Sequence, residues 1–137
     1  MHALCSFDYA VIRVVPRVER GEFVNAGVIL FCSTEGVLEA RIALDCDRLL
    51  ALAPEIDCAL VQSHLDAIPR ICYGGAEAGP IGLLPQRARF HWLVAPRSTM
   101  LQTSPVHSGV HHDLEAALAQ LVDKLVLVPP PQPLRET

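Results

Sequence analysis

The chain has 137 residues, 51% of them hydrophobic and 19% charged, with a formal net charge of −4. That length predicts one domain, which buries roughly two thirds of its unfolded surface without disulfide or metal staples. The acidic balance weighs against nucleic-acid binding, which calls for a basic excess or patch. No apolar run reaches the ~18 residues that span a bilayer, and MHALCSFDYA lacks the basic and apolar regions of a signal peptide. Both observations place the chain in the cytoplasm. Five cysteines without a C-x-x-C pair read as small buried hydrophobes, with no disulfide and no metal role.

Phe7–Val15 alternates as a strand, with Ala10, Ile12 and Val14 on one side and Tyr9, Val11, Arg13 and Val15 on the other. Pro16 ends it. After the charged connection RVERG, Glu22–Cys32 reads as the organising strand. Its face Val24, Ala26, Val28, Leu30, Cys32 is wholly apolar, and its other face, Phe23, Asn25, Gly27, Ile29, Phe31, is mixed. Gly27 removes a side chain where a neighbouring backbone, ring or ligand approaches closely. The turn Ser33–Gly36 leads to a third strand, Val37–Leu44, with Leu38, Ala40, Ile42 and Leu44 inward and Glu39 and Arg41 outward. Short turns predict an antiparallel meander with one polar face.

The period then changes. Asp45 or Asp47 caps a short helix through Leu52, and Glu55–Tyr73 carries Val61, Leu65, Ile68 and Cys72 at helical spacing, with Pro69 expected to bend or break it. Pro80–Val94 reads as two short helical pieces divided at Pro85. Ser98–Thr103 is β-prone, a fourth strand whose place in the sheet is not legible. Ser104–His112 reads as a polar loop, and Leu114–Val128 as a helix capped by Asp113. The expected fold is α+β: an antiparallel meander of three to four strands with helices packed on one face, forming one domain over residues 1–128. Residues 129–137 follow as a proline-rich tail, extended or disordered.

No catalytic triad, acid pair, phosphate loop or dinucleotide fingerprint is present, so no catalytic residue, metal ligand or cofactor is assigned. Two polar sets remain. Arg13, Glu22 and Asn25 lie on adjacent strands and suit either a structural ion-pair network or a ligand-positioning set. Arg97 and Ser98, with Thr99, offer a guanidinium and hydroxyls to a phosphate or carboxylate, and His107 belongs to a histidine cluster with His111 and His112. If they form one site, Arg13, Glu22 and Asn25 approach Arg97 or His107.

YAVIRVVPRVERGEFVNAGVILFC (Tyr9–Cys32) and RFHWLVAPRSTMLQTSPVHSG (Arg89–Gly109) closely resemble the bacterial family known as domain of unknown function 3037. The resemblance implies no activity. It does imply a partner, because members of that family are often encoded beside HipA-like kinases, the setting of a toxin–antitoxin-like or stress system. Matching motif residues here are Arg13, Glu22, Asn25, Gly27, Arg97, Ser98, His107 and Gly109. The first expectation is thus a non-catalytic partner or regulatory protein, compatible with homo-oligomer formation. The alternatives are a small-ligand or phosphate binder or enzyme on the polar sheet face, and, third, a nucleic-acid binder.

Overall fold

In the computed structural model, which describes residues 3–128, the chain begins with β1, Cys5–Val14, and passes through a single 3-10 turn into β2, Val24–Cys32. The Ser33–Gly36 turn then gives β3, Val37–Ile42. Four helices follow: α1 at Cys46–Leu52, α2 at Cys58–Tyr73, α3 at Gln86–Val94 and, after two more strands, α4 at Leu114–Leu125. The strands between α3 and α4 are β4, Leu101–Thr103, and β5, His107–His111. All pairings are antiparallel, in the order β3-β2-β1, with β4 and β5 both bonded to the far edge of β1. The fold is α+β. The tail from residue 129 lies outside the described residues.

The fourth strand therefore exists and lies beside β1, but it is shorter than expected and is continued by β5. The interval expected to be a loop is strand because its backbone pairs with β1, Cys5 opposite His111 through Tyr9 opposite His107. Ser104 bridges the gap between the two pieces. Its N–H donates to the Val11 carbonyl at 2.9 Å, and its hydroxyl accepts from the Val11 N–H at 2.9 Å. A side chain thus completes the ladder where Pro105 cannot donate. Gly109 stands opposite Phe7, and a Cβ there would lie 2.7 Å from the Phe7 ring. The ring covers the glycine.

The single apolar face expected of β2 is divided by a bulge. Ile12 pairs with Gly27 and Arg13 with Asn25, so Ala26 is an extra residue on β2. The alternation inverts there. Val24, Ala26, Ile29 and Phe31 join one core with Ile12, Val14 and Leu38, whereas Val28, Leu30 and Cys32 join a second core with Phe7. Gly27 permits the bulge, because a Cβ at that position would sit 2.6 Å from the Arg41 carbonyl oxygen. The close neighbour is backbone, not a ligand.

Helices cover both faces, a correction to the one-faced arrangement. The first core takes Leu49 from α1, Val61, Leu65 and Cys72 from α2, and Phe90 and Leu93 from α3. The second takes Ala117, Leu118 and Val122 from α4. The Leu114, Leu118, Leu121 stripe of α4 needs an apolar surface, and Val28, Leu30 and Cys32 provide one once the bulge has turned them over. Asp45, Asp57 and Asp113 cap α1, α2 and α4 by accepting from backbone N–H groups of the first turn. α2 runs through Pro69 without interruption, leaving the Leu65 carbonyl without its usual intrahelical donor. The Pro80–Val94 segment does divide at Pro85, into a 3-10 turn and α3.

Candidate functional site

α2, α3 and β4 enclose a groove of about 490 Å³ on the first face. Its floor is Ile12 of β1, with Val61, Ile68 and Leu93 as apolar walls. Leu60, Trp92 and Met100 stand at its edge and are 54%, 40% and 39% exposed. Three large apolar side chains left in water around one concavity are an unusual surface for a lone domain. The size falls within the range of roughly 300–1,000 Å³ typical of binding pockets. The lining contains no carboxylate; its charged member is Arg97, with His64 on α2.

Arg97 closes the end of α3. Its Nη1 donates to the Leu93 carbonyl at 3.0 Å, its Nη2 donates to the Trp92 carbonyl, and its guanidinium carbon lies 4.4 Å from the centre of the Trp92 ring. Thr103 Oγ1 donates to the Val94 carbonyl at 3.4 Å. The last carbonyls of α3 are thus met by side chains, and the same arginine holds the indole at the mouth of the groove. Arg97 lines the groove and its five N–H donors exceed the two carbonyls it meets. Ser98 is exposed on the connection leaving α3.

The other expected site residues lie elsewhere. Arg13 and Asn25 are direct cross-strand partners, on the face that α4 covers in part. The Arg13 guanidinium stacks 4.2 Å from the centre of the Phe23 ring. Asn25 donates from Nδ2 to the Leu125 carbonyl at 2.9 Å, at the end of α4. Buried Arg13 Nε and buried Asn25 Oδ1 have no hydrogen-bond partner among the described residues. A donor and an acceptor left open on adjoining positions are complementary to an amide, or to one another after a small rotation of Asn25. His107 is further along this face, opposite Tyr9, with ring centroids 5.5 Å apart. Glu22 does not join them. It accepts from Arg20 Nε on the exposed connection between β1 and β2, and that contact holds its carboxyl below the usual carboxylate range.

The structure therefore brings Arg13 and Asn25 together, sets His107 two cross-strand rows away, and leaves Arg97 on the groove face. Leu60, Trp92 and Met100 were missed by sequence reasoning. The helical spacing of Leu60, His64, Ala67 and Ile71 beside the core stripe was the available signal, a second apolar strip on α2 with no assigned partner. The histidine cluster is resolved into separate roles: His111 Nδ1 accepts from the Asp113 N–H at 2.8 Å. No group of three or more His, Cys, Asp or Glu among the described residues is arranged to hold a metal ion. No described helix is long and apolar enough to cross a membrane.

No curated protein and no solved structure matches the chain. The family described as protein of unknown function (DUF3037) matches residues 9–126, and the chain belongs to that family.

Proposed function

We propose that this protein is a non-catalytic binding subunit whose recognition surface is the α2–α3–β4 groove and whose partner is another protein, a HipA-like kinase. The exposed Leu60–Trp92–Met100 rim around an apolar concavity carries the reading. Aromatic and aliphatic anchors of this kind supply most of the energy of a protein interface when a partner removes them from water. The kinase identity rests on the family resemblance, and with it the toxin–antitoxin-like or stress setting.

Trp92 is the chain's single tryptophan, so its fluorescence reports directly on the groove. Titration with the purified kinase should shift Trp92 emission to the blue as the indole leaves water. Leu60→Asp and Met100→Asp should each weaken binding at least about tenfold, the loss of one good anchor, with melting temperatures nearly unchanged. Undiminished binding by both variants would sink the groove as the interface.

Arg13 supports a second reading, in which a small anionic or amide-bearing ligand sits on the opposite face beside Asn25. It makes no ion pair among the described residues and keeps an unpaired buried Nε. Thermal stabilisation by nucleotides or simple phosphates, abolished by Arg13→Gln, would favour this reading over the first.

A further inference from the structure

The five cysteines occupy unequal surroundings. Cys32 and Cys72 are buried, and burial pushes the Cys72 thiol up to about 12. Cys5 is partly exposed and donates to Glu35 Oε1 at 3.7 Å. Cys46 and Cys58 differ from all three, being partly exposed and set against each other. Cys46 is the first residue of α1 and Cys58 the first residue of α2, each directly after its capping aspartate. The connection between the helices brings these two starts together. Cys58 Sγ lies 3.9 Å from the Cys46 carbonyl oxygen, and the neighbouring Cys46 side chain is the strongest influence on its thiol.

We propose that Cys46 and Cys58 are a redox-modification site that forms a reversible disulfide by exchange with a small oxidised disulfide such as glutathione disulfide. The Cys46 thiolate attacks one sulfur of the reagent and displaces a glutathione thiolate, leaving a mixed disulfide on Cys46. Cys58 then loses its proton and attacks the Cys46 sulfur, and the second glutathione leaves. Two protein thiols become one disulfide, one glutathione disulfide becomes two glutathione thiols, and the two thiol protons end on those products. Cys58 acts second because its thiol is pushed up to about 11, by the hydrogen bond to Cys46, burial and the charges of Asp57 and Asp47. In the second step its target is already adjacent, so a small thiolate fraction suffices.

The link would tie the first turns of α1 and α2 across 12 positions of sequence. Leu60 and Val61, on the same turn of α2 as Cys58, line the groove, so the oxidation state of the pair reaches the groove wall. This inference does not depend on the proposed partner.

The test uses the full chain with glutathione disulfide at about pH 8, near the ordinary thiol range, followed by intact-mass measurement and peptide mapping. The expected result is loss of two hydrogens without a retained adduct, a link mapped to Cys46–Cys58, reversal by dithiothreitol, and a melting temperature raised by several degrees. Cys46→Ser and Cys58→Ser should each abolish the link, Cys58→Ser leaving one glutathione on Cys46 and Cys46→Ser leaving Cys58 largely as the free thiol. Retained adducts on both cysteines of the unaltered chain, unreacted thiols, or links that map equally to Cys5 would overturn the proposal.

Discussion

The sheet face beneath α1, α2 and α3 and the face beneath α4 use the same strands in opposite ways. Ile12, Val14, Ile29 and Phe31 pack into the first, and Phe7, Val28, Leu30 and Cys32 into the second. Three helices cannot tile the first face completely, and the gap between α2, α3 and the short β4 is the groove. One helix covers only part of the second, so polar groups at its margin, Arg13 and Asn25 among them, remain on the strands. Recognition sites at incomplete helix cover follow from the packing itself. What differs is their chemistry: apolar where helices flank the opening, polar where the sheet is left bare.

The largest effects should come from placing a charge on either face. Val28 and Ile29 are adjacent, fully buried and directed into opposite cores. Val28→Asp and Ile29→Asp should each cost about 4 kcal/mol or more, enough to remove a cooperative melting transition. If only one did so, the other face would not be a core in solution. The next effect is at the bulge that separates them. Gly27→Ala forces a methyl to within 2.6 Å of the Arg41 carbonyl, and a loss of about 1–3 kcal/mol is expected in denaturant unfolding. A neutral outcome would mean the bulge is absent.

A smaller effect distinguishes the helices that cover each face. Asp113 accepts from the Glu115 and Ala116 N–H groups at 3.0 and 3.1 Å, and Asp113→Ala should destabilise by about 1 kcal/mol. Asp57→Ala should act similarly on α2, and equal losses would show that both helices are integral to folding.

The smallest effect belongs to the surface pair Arg17–Glu55, 2.5 Å apart and exposed. Its hydrogen bond holds the Glu55 carboxyl below its usual value. A depressed carboxylate contributes stability above the unfolded-state value and loses it as pH falls through the folded one. The deficit of Glu55→Gln should therefore be slight at pH 7 and vanish in acid below the ordinary carboxylate range. Solvent screening keeps it slight, and a deficit that grew in acid would contradict the assignment.

Much of this architecture was legible because it is local. Alternation marked β1, β2 and β3, Asp45 and Asp113 marked the starts of α1 and α4, and the leucine spacing marked α4. The two-faced arrangement was not, because the apparent face of β2 is continuous in sequence and only the pairing with β1 reveals that Ala26 is supernumerary. β5 was missed because HSGVH has neither bulk nor alternation; its strand character comes from Phe7 and Tyr9 across the ladder. Arg13 and Asn25 were found together because a sheet register brings mid-strand residues into line. Arg97 was misplaced relative to them, since a segment joining a helix to a strand carries no record of which face it approaches.

The break at Ser104 bears on self-association. The β4–β5 edge presents three ladder residues, then a proline, then five more, so an incoming strand finds no long uniform template. Regular exposed edges invite strand addition between molecules and, from there, aggregation. The serine that keeps Val11 paired lets β1 lie continuous inside the sheet while its outer neighbour is interrupted. An unbroken strand in that position would satisfy β1 as well and leave the protein more prone to stack upon itself.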